Sequence, residues 1–166
     1  IITFISLIIG ILSRAQTVNE HYYFKNLSSQ NGLSQNTVSA ILQDSKGFMW
    51  FGTKDGLDRY DGVSFRHFKY DRNNPRSLGN NFVTSLYEDV EGNIWIGTRN
   101  KGLIKLIPNG KLNYQLKYYK NDPADKFSLS CNSIFSLKED KQGRIWIGTL
   151  GGGAVSYTHL TLPTIA

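Results

Sequence analysis

The sequence predicts an all-β fold built from a repeated unit of short antiparallel strands. A Trp-x-Gly-Thr phrase occurs three times, and its tryptophans, Trp50, Trp95 and Trp146, are about 45 and 51 residues apart. Repeats of this length that hold several short strands are typical of β-propeller blades. The 16 glycines and the low share of charged residues, 19%, fit short strands joined by tight turns. Because propellers have about four to eight blades, we expect a β-propeller fragment of about three four-stranded antiparallel blades whose ring is not closed.

The first strand of each unit is predicted by an alternation of apolar and polar residues that ends at an aspartate: VSAILQD, VTSLYED and IFSLKED. A period of two residues turns one face of a strand toward a neighbour. A glycine follows each aspartate after two residues. This is turn chemistry, because the carboxylate can bond the next backbone amides and glycine can adopt a positive φ. The residues are Asp44, Asp89, Asp140, Gly47, Gly92 and Gly143.

The second strand carries the tryptophan, which is large enough to fill the gap between neighbouring sheets. The glycine two residues later indicates a close backbone approach or a bulge, at Gly52, Gly97 and Gly148. Third strands are expected at 57–61 and 103–107. The hairpin signals Asp-Gly at 61–62 and Asn-Gly at 109–110 lead to fourth strands that end at Tyr70 and Tyr119.

Two polar positions also recur, before the first strand and after the second. We expect their side chains to bond backbone groups at strand ends, so that the repeat is scaffold and not a repeated binding site. They are Asn36, Asn81, Asn132, Thr53, Thr98 and Thr149.

The two ends of the chain depart from the repeat. Residues 1–15 are an apolar run with small residues at Ser13 and Ala15, which favours an export signal with a clipped start over a buried core segment. Residues 16–32 are expected to hold an orphan outer strand, 21–27, and a lead-in. The blades are placed at 33–77, 78–128 and, incomplete, 129–157. Residues 158–166 leave the pattern and are interpreted as a non-native tail, with a divergent natural end as the alternative.

The stretch 33–62, LSQNTVSAILQDSKGFMWFGTKDGLDRYDG, resembles the two-component regulator propeller repeat, and the resemblance extends over about 22–157. It implies the periplasmic sensor region of a hybrid two-component histidine kinase, a family found largely in Bacteroidetes, whose members often detect breakdown products of polysaccharides. The implied full-length protein is anchored in the inner membrane and can form homodimers. The implied partners are an oligosaccharide or similar small ligand and the missing blades of the same chain. We expect no cofactor and no metal.

Ligand-binding positions should differ between repeats while occupying the same loops. On the face formed by the loops between strands two and three and the loops before strand one, the varying side chains suit the hydroxyls and carboxylates of a sugar acid. The alternative is that they are ordinary solvated loop residues. The candidates are Gln35, Lys54, Asp55, Asn80, Arg99, Asn100 and Lys101, with Cys131 and Leu150 at the corresponding positions of the third unit.

Other functions remain as alternatives. A propeller enzyme that acts on polysaccharide needs a convergent acid, base or metal set. His21 and His67 fall on fourth strands and His159 in the tail, while Asp55, Asp58 and Asp61 lack the spacing of a calcium loop. A non-catalytic surface interaction propeller is the other alternative. The net charge of +6 is scattered without a basic run, so we expect no nucleic-acid binding.

Overall fold

The structure, a computed structural model, describes residues 23–110 and 113–158, which form three antiparallel β-sheets. A short 3-10 turn, Ser29–Asn31, precedes the first sheet. In this sheet the four strands pair in chain order. They are β1 Val38–Gln43, β2 Met49–Thr53, β3 Gly56–Tyr60 and β4 Phe65–Phe68.

The second sheet repeats this order, and the third has three strands among the described residues. The first strands of the sheets lie side by side, because β1 contacts β5 and β5 contacts β9. This is the arrangement of propeller blades around an axis, and it confirms the predicted fold of an open propeller fragment. The strands are β5 Val83–Glu88, β6 Ile94–Thr98, β7 Leu103–Asn109, β8 Asn113–Tyr119, β9 Ile134–Glu139, β10 Ile145–Thr149 and β11 Gly153–Tyr157.

The hydrophobic core lies between the sheets, and two of the three tryptophans are at its centre. Trp50 is buried with Leu78 and Ile96 between the first and second sheets. Trp95 is buried with Leu129 between the second and third sheets. Burial of large apolar side chains is the main source of stability, so these residues hold neighbouring blades together. Trp146 is 41% exposed, because no further described sheet packs on it.

The aspartate turns form as predicted. Each aspartate also makes a contact that the sequence pattern did not predict. Asp44 Oδ1 accepts the backbone amides of Lys46 and Phe48, and Gly47 has a φ of 86°. The other oxygen, Oδ2, accepts the indole N–H of Trp50 at 2.8 Å. The same indole bond is found for the pairs Asp89–Trp95 and Asp140–Trp146, at 2.8 and 2.7 Å.

These bonds change the acidity of two of the carboxylates, those of Asp89 and Asp140. Burial by itself would raise the pKa of Asp89, but the hydrogen bonds from Asn93 and Trp95 and the charge of Lys105 outweigh it and lower the pKa below its ordinary value. The indole bond from Trp146 likewise lowers the pKa of Asp140. These two carboxylates therefore stay ionised as acceptors for their turns.

The glycine after each tryptophan is required by a close approach, as predicted. A Cβ at Gly52 would lie 2.6 Å from Val83 Cγ1, and one at Gly97 would lie 2.7 Å from Ile134 Cγ2. Val83 and Ile134 begin the first strand of the next sheet, so the missing side chain lets neighbouring blades meet. The strand register also shifts nearby, between Val83 and Ser85, which agrees with the expected bulge.

The repeated asparagines and threonines bond to backbone at strand ends, as expected. Asn81 Oδ1 accepts the amide of Tyr70 at 2.6 Å, and Asn132 Oδ1 accepts that of Asn121 at 2.7 Å. Thr98 Oγ1 donates to the carbonyl of Gly102 at 2.7 Å. The bond from Tyr70 to Asn81 turns the chain out of the sheet, so β4 ends two residues before the predicted end.

The orphan strand expected at 21–27 is not formed in its described part. Residues 23–28 have no strand structure, and Tyr23 and Phe24 are 92% and 99% exposed. The first sheet is already four-stranded with β1–β4, as the second is with β5–β8, so this segment is not needed to complete it. The expected export signal and residues 159–166 of the expected tail lie outside the described residues. No helix in the described part of the chain is long and apolar enough to cross a membrane.

Candidate functional site

The loops between second and third strands and the loops before first strands form one face of the molecule. The amide of Gly56 donates to the carbonyl of Asn81 at 2.7 Å, which ties the first sheet to the lead-in of the second. Gly102 makes the equivalent bond to Asn132 at 2.8 Å. Backbone bonds therefore position the variable side chains of neighbouring blades side by side.

Two of the seven predicted ligand-binding residues lie near the ring of Phe82, and two others in the loops of this face bond to each other. Lys54 Nζ lies 5.7 Å from the ring centroid and the Arg99 guanidinium carbon lies 5.1 Å from it. Asn80 Nδ2 donates to Asn100 Oδ1 at 2.7 Å. We call Lys54, Asn80, Phe82, Arg99 and Asn100 the Phe82 cluster. It combines two cations, two amides and an aromatic ring from two neighbouring blades.

A cavity of about 460 Å³ adjoins this cluster on the side of the first strands. Hydroxyl groups from β1 and β5, the guanidinium of Arg99 and two phenylalanine rings reach its surface. Ligand sites of proteins share this combination of apolar walls and a few placed polar groups. The lining residues are Ser39, Phe82, Thr84, Arg99, Ser133, Ile134, Phe135 and Leu150.

The other three predicted ligand residues lie outside the cluster. Asp55 forms an ion pair with Lys69 at 2.6 Å, and both side chains are partly exposed. Gln35 accepts the amide of Thr37 with its side-chain oxygen. Lys101 lines a different cleft, of about 310 Å³, with Tyr118 and Lys120. These three residues are not brought to the cavity that Arg99 lines.

The variable position before each first strand has the same structural role in all three blades. The sequence did not show this role, because the residue type differs from blade to blade. Asn80 Oδ1 accepts the amide of Phe82 at 2.6 Å, and Cys131 Sγ accepts that of Ser133 at 3.4 Å. Gln35 likewise accepts the backbone amide of the residue two positions later, Thr37. Different side chains serve because the turn needs only an acceptor. The side-chain nitrogen of Asn80 is not used in this turn and donates to Asn100.

The sequence analysis missed the cavity walls, and two of them link blades. Ser39 donates to the carbonyl of Val83, and Thr84 donates to that of Ile134 at 2.7 Å. The third blade has Phe135 at the corresponding position, with 69% of its surface exposed. The sequence signal for these walls was a position that holds a hydroxyl residue in two repeats and an aromatic residue in the third.

Ser34, Asp58 and His67 meet on the first sheet, but in the wrong order for a hydrolytic triad. Asp58 Oδ1 contacts both Ser34 Oγ, at 2.5 Å, and His67 Nδ1, at 2.7 Å. In a triad the nucleophile bonds the ring nitrogen opposite to the one held by the acid. Here serine and aspartate share Nδ1, since Ser34 Oγ lies 3.1 Å from it. The cluster instead anchors the buried Asp58 carboxylate.

The described residues contain no group of three or more His, Cys, Asp or Glu able to hold a metal ion.

The repeat matches a known family model. The family model of the two component regulator propeller matches residues 32–55, 77–100 and 128–151. Each match includes a first strand, its aspartate turn and the tryptophan strand. Histidine kinase P4 of Formosa agariphila is 44% identical over 57 residues, which are 34% of this chain and 4% of that protein.

Solved structures share the fold. The extracellular domain of a hybrid two component system from B. thetaiotaomicron aligns over 86% of this chain and 21% of that one, with 27% identity and a TM-score of 0.68. PorZ of Porphyromonas gingivalis, a surface component of the type-IX secretion system, aligns over 74% of this chain and 17% of that one, with 22% identity and a TM-score of 0.56, a likeness of fold alone. The chain therefore spans only a small part of these relatives.

Proposed function

We propose that this chain, which is built of two-component regulator propeller repeats, belongs to the exported sensor region of a hybrid two-component system and binds an acidic oligosaccharide. The repeats and the likeness to an extracellular domain of such a system support the sensor assignment. We infer from the same likeness that the domain is exported to the periplasm and that the full-length protein is an inner-membrane histidine kinase. This fragment binds and does not catalyse.

The observation that carries the proposal is the Phe82 cluster beside a cavity of about 460 Å³. Its polar members occupy corresponding loops but differ from one blade to the next, whereas the buried tryptophans and turn aspartates repeat. Residues that support the fold must satisfy the same geometry in every blade. The residues that vary in a common place are free to match a ligand.

The chemistry of the site favours a carboxylate-bearing sugar. Arg99 and Lys54 provide positive charge, and a guanidinium can hold a carboxylate with two parallel hydrogen bonds. The amides of Asn80 and Asn100 suit hydroxyl groups. Phe82 and Phe135 provide apolar surface for the C–H face of a sugar ring, in keeping with the mixed lining of ligand pockets.

Signalling follows from binding between blades. Lys54 directly follows a strand of the first sheet, Arg99 one of the second, and Leu150 one of the third. A ligand that contacts all three favours one packing of the blades over others, which shifts the population of states by its differential affinity. In the full-length protein this shift passes to the kinase through paired ectodomains.

Calorimetric titration of the chain with oligogalacturonate, and with the neutral cellotetraose for comparison, tests the proposal. We expect binding of the acidic oligomer only. Arg99→Ala should weaken it about tenfold or more, since a hydrogen bond to a charged group is worth roughly 1.5–3 kcal/mol. Lys141→Ala, which removes a cation from an aspartate turn of the third sheet, is the matched control and should bind normally.

Equal binding of neutral and acidic oligomers, or unchanged binding by Arg99→Ala, would contradict the assignment of the site. The oligomers should also be analysed by chromatography after incubation with the chain. Shortened oligomers would contradict the absence of catalysis. A panel that includes alginate oligomers extends the test to other uronic acids, since they share the carboxylate but differ in the arrangement of hydroxyls.

A further inference from the structure

A polar cleft of about 310 Å³ lies between the first two blades, and we call it the outer cleft. One wall is the loop 70–79, which joins the two sheets. The other walls are Lys101 in the loop between β6 and β7, and Tyr118 and Lys120 at the end of β8. The outer cleft therefore opens on the same face of the molecule as the Phe82 cluster, since both use the loops between second and third strands and the loops before first strands.

The outer cleft carries an excess of positive charge. Arg72, Lys101 and Lys120 line it, and their side chains make no hydrogen bond or ion pair within the described part of the chain. Asp71 is the one carboxylate among the lining residues, and its Oδ1 accepts the amide of Asn73 at 2.9 Å. A concave surface lined by charges of one sign concentrates ions of the opposite sign, so the outer cleft favours an anion.

The first blade neutralises a lysine that the second blade leaves charged. Lys69 and Lys120 are equivalent, because each directly follows the residue that lies opposite the first leucine of its third strand. Lys69 pairs with Asp55 at 2.6 Å. The residue at the place of Asp55, directly before the glycine that bonds the next blade, is Lys101 in the second blade. Two lysines thus share the outer cleft where the first blade has an ion pair, and like charges repel each other unless an anion is present.

Hydrogen bonds hold the walls of the outer cleft in place. Ser77 Oγ accepts the amide of Asp71 at 2.8 Å and donates to the carbonyl of the same residue at 3.0 Å. The hydroxyl of Tyr118 donates to the carbonyl of Ser77 at 2.5 Å, which joins the loop to β8. Because these bonds order the loop before a ligand arrives, binding costs less conformational entropy.

The outer cleft and the cavity beside the Phe82 cluster adjoin at the hydrogen-bonded pair Asn80 and Asn100. Gly79 precedes Asn80 and Lys101 follows Asn100, and both of these neighbours line the outer cleft. Arg99 precedes Asn100 and lines the cavity. A ligand that runs from the cavity across the two amides therefore reaches the three cations of the outer cleft.

We propose that the outer cleft binds a second carboxylate of the acidic oligosaccharide whose first carboxylate lies at Arg99. The inference rests on the proposed function, which supplies the first contact. A short oligomer occupies the cavity alone, while a longer one also places a carboxylate among the cations of the outer cleft. The sensor therefore discriminates the length of its ligand, and Arg72, Lys101 and Lys120 are the residues that determine this preference.

Calorimetric titration with digalacturonate and hexagalacturonate tests the inference. Because an exposed ion pair contributes little by itself, the three cations are replaced together, as Arg72→Ala, Lys101→Ala and Lys120→Ala in one chain. We expect this cleft variant to bind the hexamer about tenfold more weakly than wild type, since three such contacts add, and to bind the dimer within about twofold. The advantage of the hexamer over the dimer should shrink as the salt concentration is raised, because exposed charges are screened.

A chain with Lys46→Ala, Lys117→Ala and Lys141→Ala is the matched control. It loses the same net charge, but none of these three lysines lines the outer cleft or the cavity. It should bind both oligomers as wild type does. Thermal unfolding of the cleft variant should be unchanged, because its three side chains make no hydrogen bond or ion pair with the described residues.

Equal affinities of wild type for the two oligomers, or an unchanged hexamer affinity in the cleft variant, overturn the inference. The proposed function still stands in that case if Arg99→Ala weakens the binding of both oligomers. Failure of both oligomers to bind wild type overturns the proposed function and the inference together. Amide chemical shifts give a second readout, because the hexamer should shift the resonances of Gly79 and Lys120 and the dimer should not. A bound hexamer that shifts neither resonance also overturns the inference.

Discussion

Replacing Gly97 by alanine tests whether the missing side chain in β6 sets the distance between the second and third blades. The new Cβ would lie 2.2 Å from Ser85 Oγ and 2.7 Å from Ile134 Cγ2, and 3.1 Å from Ile134 Cβ. The serine hydroxyl can rotate away. Ile134 cannot, because it is buried at the start of β9 within the core that holds the two sheets together.

The expected cost follows from this clash. Overpacking of a core by one methyl group destabilises a protein by about 1–3 kcal/mol, and a Cβ–Cβ distance of 3.1 Å that only a shift of β9 can relieve places Gly97→Ala near the middle, at about 2 kcal/mol. For a domain of this size that lowers the melting temperature by roughly 4–8 °C. Urea unfolding followed by tryptophan fluorescence measures the free energy directly.

Gly79→Ala is the matched control. Gly79 also has an ordinary φ, but the nearest atoms to an added Cβ, on Lys101 and Tyr118, are 3.8 Å away, so its stability should change by less than about 0.5 kcal/mol. If Gly97→Ala were as stable as Gly79→Ala, the blades would not be in contact at β6 and β9, and the packing argument for all three tryptophan strands would be refuted.

Two further predictions concern the aspartate turns. Trp95→Phe keeps most of the apolar volume but removes the indole donor to Asp89, so we expect a loss of about 2 kcal/mol in urea unfolding; a loss as small as that of a surface variant would show that the indole bond is unimportant. Because the pKa of Asp89 is lowered in the folded state, its stabilising effect is complete above the unfolded pKa of about 4 and is lost as pH falls through the folded value. The unfolding free energy should therefore fall below about pH 4, and Asp89→Asn should be less stable at neutral pH and show a flatter acid limb; an acid limb identical to that of wild type would contradict the assignment.

The scaffold could be predicted from sequence because its geometry is local and repeated. The turn at Asp44 and Gly47 depends on residues within a few positions, and the same letters occur in each blade. The indole bond of Trp50 to Asp44 was not foreseen, because it requires the side chains of two adjacent strands to reach the same end of the sheet. Repetition showed that both residues matter without showing that they touch.

The candidate site was predicted only in part, for a physical reason. Variation between repeats pointed to Lys54 and Arg99, which the structure brings to one ring. That ring, Phe82, was overlooked because a lone aromatic residue in a lead-in loop has no pattern of its own. Gln35 was included because it varies, although its side chain serves a turn. Variation in sequence marks both ligand contacts and positions where several residue types satisfy one backbone amide.

The division between scaffold and site is tested most directly at two adjacent residues, Thr98 and Arg99. Thr98 is buried and donates to Gly102 in a bond that recurs in every blade, while Arg99 faces the cavity. Titration with oligogalacturonate and urea unfolding should be carried out on Thr98→Val and Arg99→Ala together. We predict that Thr98→Val loses about 1–2 kcal/mol of stability and retains affinity at a temperature where it is folded, while Arg99→Ala keeps its stability and loses affinity. Affinity lost in Thr98→Val but kept in Arg99→Ala would contradict the account.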